Sequence, residues 1–262
     1  MDKKEIKTTV GNPHLHNPHL DGDAFFWKAG STGIFFSHGY SATTAEVRLV
    51  AEKLHSAGYT VGAPLLPGHG TTPEDLNQVK WQDWVRAGET ELEKLFGVCE
   101  QVWVAGESMG GVLALHLTSK YPQVAGVILF APAIRLTMSF FDKVKLQLGS
   151  YFISEIPRDS LDGSKLWQGY PGVPLKGAVE LLRFQRATLK ELVKIKQPVI
   201  IFQGRNDLTV APKAGEIILN GISSKVKERH WMEKSSHAIV LDEEHEEVAE
   251  ISVQFIKENG QI

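Results

Sequence analysis

Along the chain, short apolar runs of strand length alternate with stretches whose apolar positions recur at helical spacing. "GIFFSHG" (33–39) is followed by "AEVRLVAEKLHSAG" (45–58), in which Val47, Val50, Ala51 and Leu54 fall at i, i+3, i+4 and i+7 and Gly58 suits a C-terminal cap. That pair predicts a buried strand and an amphipathic helix. The alternation continues with "TVGAP" as a strand, "WQDWVRAGETELEKLF" as a helix, "QVWVAG" as a strand, "SMGGVLALHLTSKYP" as a helix closed by Pro122, and "VAGVILFAP" as a strand. Past position 196, "PVIIFQG" and "KERHWM" predict strands, and "APKAGEIILNGI" and "EEVAEISVQFIKEN" predict helices. Continuous apolar strands separated by helices predict an α/β fold, with a mainly parallel central sheet flanked by helices on both faces.

Between Ala131 and Lys196 the alternation stops. The stretch holds helical patterns, "FFDKVKLQLGSYFI" and "GAVELLRFQRATLKELVKI", and no convincing buried strand. A structureless loop of that length does not suit a compact domain. The expected organisation is therefore a core in two pieces, 1–131 and 197–262, with a mostly helical cap inserted at 132–196.

Composition narrows the function classes. With 262 residues, 42% hydrophobic and 23% charged, the chain can bury one large core. A formal charge of -3 with interspersed signs lacks the dense basic face that phosphate neutralisation demands, so nucleic acid is not an expected partner. "MDKKEIKTTV" leads into no apolar signal core, and no run reaches the roughly 18 apolar residues that span a bilayer. The expectation is a soluble, cytoplasmic protein without stable membrane insertion, monomeric or homodimeric. The single cysteine, Cys99, excludes an internal disulfide and is expected as a small buried hydrophobe at a helix–strand junction. His14, His16 and His19 form H-x-H-x-x-H, but with no acidic or cysteine partner at ligand spacing they read as loop residues, and no metal site is expected.

The candidate chemistry lies in "VAGESMGG". G-x-S-x-G alone is a weak signal; its context is what matters. Here an apolar strand precedes Ser108 and a helix follows it, with Gly106 and Gly110 leaving room for a strained strand-to-helix turn that projects the hydroxyl from the end of the sheet. A serine hydroxyl is a poor nucleophile unless a base takes its proton, and the base needs an acid to orient it. "PVIIFQGRNDLTVAP" places Asp207 after a strand, and "KERHWMEKSSHAIVLD" places His237 after another. The order Ser, Asp, His is that of the α/β-hydrolase arrangement. Asp242 is a rival acid, expected instead to cap the last helix, and His230 and His245 are rival bases in a strand and a helix start. The oxyanion of a tetrahedral intermediate needs two donors: the backbone N–H of Met109, opening the helix, and that of Tyr40, after His38-Gly39. The Tyr40 side chain is then free to shape the pocket. His38 and His69 are expected to brace the surrounding loops, and Glu107 to be structural or pocket-lining.

These segments together resemble the bacterial monoacylglycerol lipases and related small carboxylesterases of the α/β-hydrolase superfamily: "FFSHGYSATTAEVRLVAEKLHSAGYTVGAPLLPGHGTTPEDL", "WQDWV", "VAGESMGGVLALHL", "GRNDLTVAP" and "SSHAIVLD". The resemblance runs from about Gly33 to Phe255 and weakens over the cap. It implies an α/β-hydrolase fold with an inserted helical cap, with Ser108, Asp207 and His237 in the triad positions and Tyr40 and Met109 as oxyanion donors. It also implies hydrolysis of short- to medium-chain acyl esters or monoacylglycerols through an acyl-enzyme, with neither metal nor cofactor. Members selective for monoacylglycerols carry a cap glutamate for the glycerol hydroxyls; over "KLWQGYPGVPLKG" Trp167 falls near that position, with Glu155 and Asp159 as possible substitutes. That departure favours a broader carboxylesterase over a strict monoacylglycerol lipase. The aromatic residues Phe140, Phe141, Tyr151, Phe152, Trp167 and Tyr170 are expected to divide between cap packing and an acyl tunnel, with Trp167, Tyr170 and Phe141 as pocket candidates. Serine at the elbow argues against dehalogenase or epoxide hydrolase chemistry, which normally uses aspartate there. A peptide hydrolase would keep the same triad, and a ligand receptor on the same fold is the reading from outside catalysis.

Overall fold

The computed structural model describes residues 8–158 and 165–260. In chain order its strands are β1 (Phe25–Trp27), β2 (Thr32–Ser37), β3 (Thr60–Ala63), β4 (Gln101–Glu107), β5 (Val127–Phe130), β6 (Glu155–Pro157), β7 (Gly172–Pro174), β8 (Val199–Gly204) and β9 (Lys227–Met232). Its helices are α1 (Arg48–Ser56), α2 (Pro73–Gln78), α3 (Trp81–Phe96), α4 (Met109–Lys120), α5 (Phe140–Gly149), α6 (Leu175–Leu189), α7 (Ala214–Gly221) and α8 (His245–Asn259). Seven strands make the main sheet in the order β1-β3-β2-β4-β5-β8-β9. Every pairing is parallel except that of β1 with β3. The mainly parallel sheet expected from the alternating pattern is thus present, in the α/β-hydrolase fold that the resemblance implies.

Both faces of the sheet are covered, and the strands show why. In β2, Phe35 joins one apolar cluster while Ile34 and Phe36 join the other; in β4, Val102 and Val104 oppose Trp103 and Ala105 in the same way. Successive side chains point to opposite faces, so a strand buried on both sides must be apolar throughout. Helix α4 follows the same logic, being buried at every position from Met109 to Thr118. No helix among the described residues is long and apolar enough to cross a membrane.

Four local features differ from the sequence expectation. Strand β1 is a three-residue antiparallel edge, too short for a pattern to reveal. Helix α2 went unpredicted although "TTPED" carries a start signal: Thr72 caps it by accepting from the Asp75 amide, and Pro73 takes the first turn. The cap-like region between β5 and β8 is helical in α5 and α6 but also contains the antiparallel pair β6–β7. Those strands span three residues each and include Pro157 and Pro174, so no alternation could mark them. Asp159 lies outside the described residues. Cys99 is half-buried rather than buried, with burial raising its thiol pKa.

Candidate active site

In a parallel sheet the loops leaving the carboxyl ends of the strands converge on one edge, where ligands bind. The loops after β2, β4, β8 and β9 supply Gly39–Ser41, Ser108, Asp207 and His237 here. Ser108 is the corner between β4 and α4, with φ 53° and ψ −112°. Such a conformation costs a non-glycine residue about 1–3 kcal/mol and persists only where its surroundings enforce it. They do: the Ser108 amide donates to the Phe130 carbonyl at 2.9 Å, and its carbonyl accepts from Ala133 at 2.9 Å and Gly111 at 3.1 Å. The flanking glycines are obligatory. A Cβ on Gly106 would stand 2.1 Å from the Gly110 carbonyl oxygen, and one on Gly110 would stand 2.2 Å from that of Ser37. Glu107, the variable residue of the turn, is fully buried.

The three side chains named from the sequence meet across these loops. His237 Nε2 lies 2.9 Å from Ser108 Oγ, and His237 Nδ1 lies 3.0 Å from Asp207 Oδ2. The other oxygen, Asp207 Oδ1, accepts the amides of Thr209 at 2.7 Å and Val210 at 2.9 Å, which fixes the carboxylate's orientation. An ionised carboxylate only accepts, so the imidazole proton sits on Nδ1 and Nε2 faces the serine as acceptor. The rivals are engaged elsewhere. Asp242 does not cap α8 but holds the histidine loop, its Oδ2 accepting from the amide and hydroxyl of Ser236 at 2.6 and 2.9 Å. His230 pairs with Glu228, and His245 Nδ1 lies 2.8 Å from the Asp242 carbonyl.

Facing the serine is the turn after β2. A Cβ on Gly39 would stand 3.2 Å from Ser108 Cβ. Among the described residues, the amides of Tyr40 and Met109 donate to no protein acceptor. The Tyr40 side chain, expected to be free, is committed: its hydroxyl donates to the Pro174 carbonyl, and its ring stands edge-on to His69 and Trp84. Burial pushes its pKa well above the usual value. His38 and His69 pack edge to face in the same loops. Burial lowers the pKa of His38 to about 4, and burial, with His38 beside it, lowers that of His69 well below its ordinary value.

The pocket candidates do not form one lining. Trp167 is 3% exposed, packs in an apolar cluster and donates its indole N–H to Glu46 at 3.2 Å. Tyr170 is fully buried; its hydroxyl donates to the Gly68 carbonyl at 2.8 Å and accepts from the Thr71 amide at 3.0 Å. Phe141 stands on α5 at 74% exposure. Large aromatic side chains at these positions serve packing or face solvent, and sequence spacing carries no sign of which. Glu155 sits in β6 against Gly172. Of the three early histidines, His16 lies beside Trp167 while His14 and His19 are exposed. Among the described residues no group of histidine, cysteine or acidic side chains could hold a metal.

A serine on a strained strand-to-helix turn, hydrogen-bonded to histidine at the carboxyl edge of this sheet, has the arrangement of α/β-hydrolase serine enzymes. The chain belongs to the family described as serine aminopeptidase, S33, which matches residues 31–244, and within it to the carboxylesterase and monoacylglycerol lipase group of serine hydrolases. It is 32% identical over 252 residues to a thermostable monoacylglycerol lipase of Bacillus sp. (strain H-257), covering 93% of this chain and 98% of that protein. It is 28% identical over 237 residues to a carboxylesterase of Bacillus subtilis (strain 168), covering 89% and 95%. Among solved structures it resembles one reported for LipS and LipT, two metagenome-derived lipolytic enzymes, with TM-score 0.85, 30% identity and coverage of 94% and 99%.

Proposed function

We propose that the protein is a carboxylesterase acting on short- to medium-chain acyl esters, monoacylglycerols among them, through an acyl-enzyme. The observation that carries this reading is the unbroken hydrogen-bond chain from Ser108 Oγ through His237 to Asp207. Ser108 Oγ attacks the ester carbonyl while His237 Nε2 takes its proton. His237 then gives that proton to the departing alcohol, and the acyl group remains on Ser108. Water, deprotonated by His237, attacks the acyl-enzyme and releases the acid. Asp207 holds the imidazole and stabilises its charged form. The amides of Tyr40 and Met109 receive the negative oxygen of each tetrahedral intermediate, each worth about 2.7–4 kcal/mol of barrier. The residues supply nucleophile, base and donors themselves, in keeping with a reaction that uses neither metal nor cofactor.

Two observations bear on substrate class. The similarity to a monoacylglycerol lipase and a carboxylesterase supports ester hydrolysis. At the place where monoacylglycerol-selective members carry an acceptor, Trp167 is buried and spends its indole on Glu46, which supports the broader esterase. The inserted region 132–196, between core pieces 1–131 and 197–262, would then set the acyl preference. The proposed protein is a monomer or homodimer, since one chain supplies the whole relay, and its single cysteine suits the cytoplasm.

The test is Ser108→Ala with the fold checked by circular dichroism. Turnover of p-nitrophenyl butyrate should fall by about 10⁴-fold or more; undiminished hydrolysis ends the proposal. Wild-type turnover of p-nitrophenyl esters of increasing chain length, 1- and 2-monoacylglycerols and an aminoacyl amide then assigns the substrate. Faster amide than ester cleavage would make it a peptidase. Covalent labelling by a fluorophosphonate with negligible turnover of every ester would make it a receptor.

A further inference from the structure

The turn after β2 contains two successive peptide units, each pinned by a buried side chain. In the first, the Gly39 N–H donates to Glu46 Oε2 at 2.6 Å. In the second, the Gly39 carbonyl accepts from His38 Nδ1 at 2.9 Å, while His38 Nε2 accepts the Leu66 amide at 3.1 Å and so leaves the proton on Nδ1. A trans peptide directs its C=O and N–H to opposite sides. Fixing the Gly39 carbonyl therefore aims the N–H of Tyr40, which belongs to the same peptide unit.

Glu46 is the unexpected member of this arrangement. It is 5% exposed, and its second oxygen, Oε1, accepts the indole N–H of Trp167 at 3.2 Å. A Cβ placed on Gly39 would touch Glu46 Oε2 at 3.0 Å and Ser108 Cβ at 3.2 Å, so only the width of the loop separates carboxylate and serine. Burying a carboxylate is costly unless it is hydrogen-bonded, and a neutral acceptor would satisfy one amide at less cost. A charged acceptor makes the shorter and stiffer bond. Its second partner comes from the cap-like region, whose neighbouring residues also bind this turn: the Tyr170 amide donates to the Ser41 carbonyl at 2.9 Å and the Thr43 amide to the Gln168 carbonyl at 3.0 Å.

We propose that Glu46 is a positioning residue for the oxyanion donor: it holds the Gly39 amide so that the Tyr40 N–H faces Ser108, and through Trp167 it makes the cap-like region part of that support. The inference rests on the reading of Ser108 as nucleophile and Tyr40 as donor.

The experiment compares Ser108→Ala, Glu46→Gln, Trp167→Phe and the Glu46→Gln/Trp167→Phe double variant with wild type. It reads kcat and KM for p-nitrophenyl butyrate alongside thermal unfolding. A glutamine at 46 can offer its oxygen to Gly39 only by turning its NH₂ against the Trp167 N–H. Glu46→Gln should therefore lose about 10- to 100-fold in kcat, the scale of a displaced catalytic group, with KM changed by no more than about twofold. Trp167→Phe removes one donor and should lose a few-fold. The double variant, with the donor clash relieved, should recover much of the Glu46→Gln loss. A purely structural Glu46 would lower the melting temperature and leave kcat of the folded enzyme unchanged. A Glu46 acting through charge alone would give a higher kcat on neutralisation, because a negative neighbour opposes the oxyanion. Either result overturns the proposal. If Glu46→Gln does not fold, Trp167→Phe carries the test, and an unchanged kcat overturns it. If Ser108→Ala still hydrolyses the ester, the underlying functional reading fails instead; if Ser108→Ala is silent and Glu46→Gln is as active as wild type, only the positioning role fails.

Discussion

Helices α5 and α6 both lie between β5 and β8, and both carry apolar residues at helical spacing. Their environments are opposite. Helix α5 buries none of its side chains, whereas α6 buries Leu175, Val179, Leu181, Leu182 and Phe184. Helix α5 begins with a reciprocal cap, in which Ser139 accepts from the Asp142 amide and Asp142 accepts from Ser139, so its start is fixed by local bonding, and it rests against α6 without burying a side chain. Helix α6 is tied to the core: Gln185 Nε2 donates to the Ala133 carbonyl at 2.5 Å, next to the loop that holds the elbow, and Thr188 meets His116 of α4. Between the two helices, residues 167–174 bind the turn after β2. The cap-like region is therefore two structures: an outer helix with its apolar side facing solvent, and an inner segment bonded to the turn that faces Ser108.

That difference can be broken most severely at Tyr170. Its ring is fully buried and its hydroxyl bridges Gly68 and Thr71. Tyr170→Ala should cost about 3–5 kcal/mol through the cavity and the unpaired backbone groups, lowering the melting temperature by about 10 °C. Because the Tyr170 backbone amide is bonded to the Ser41 carbonyl, a main chain that shifts toward the cavity would move that turn, and ester turnover at moderate temperature should fall as well. Thermal unfolding and kinetics on one preparation check both. A change within 1 °C would mean the inner segment is not part of the core.

A smaller effect follows from acid. Burial lowers the pKa of His116, where α4 meets α6, from its ordinary 6.5 to about 4, with Lys120 adding to the shift. Burial does the same to His38, to about 4. In the unfolded chain both return to the ordinary value, so between pH 6.5 and about 4 the unfolded chain binds protons that the folded chain does not. Stability must then rise with pH across that window and fall as pH drops through it. Melting temperatures from pH 7 to pH 4 should show the decline. His116→Leu should flatten part of it, and an unchanged slope in that variant would remove His116 from the account.

How much of this was legible in the sequence depends on whether a residue's role is written in its neighbours. The Ser108 turn was, because glycines two residues to either side and the switch from strand to helix are consequences of one steric requirement. Asp207 and His237 were legible as loop residues following strands, the apolar β8 and the short, charged edge strand β9, although their meeting depends on three parallel crossings between distant segments. Glu46 left a fainter mark: it stands at i of an i, i+4, i+8 series with Val50 and Leu54, an acid on an apolar stripe, which signals a buried partner without naming it. Its partners, Gly39 and Trp167, are set by tertiary packing. The aromatic residues of the cap-like region could not be sorted at all, since Phe141 and Tyr170 differ only in what the rest of the chain places over them.

Phe141 gives the mildest and most discriminating test of that contrast. It is 74% exposed, and Phe152, just past the same helix, is 89% exposed. Replacing exposed side chains that touch little should change stability by no more than about 0.5 kcal/mol. Phe141→Ser and Phe152→Ser should thus melt within about 2 °C of wild type, where Tyr170→Ala falls far below it. Turnover of p-nitrophenyl butyrate should be unaffected, since these exposed side chains take no part in the relay from Ser108 to Asp207. A large loss of butyrate turnover would return Phe141 to the substrate pocket that its sequence position suggested. A loss confined to long-chain esters would instead assign the outer helix to the distal end of the acyl chain, and the two halves of the region would then divide substrate handling as they divide burial.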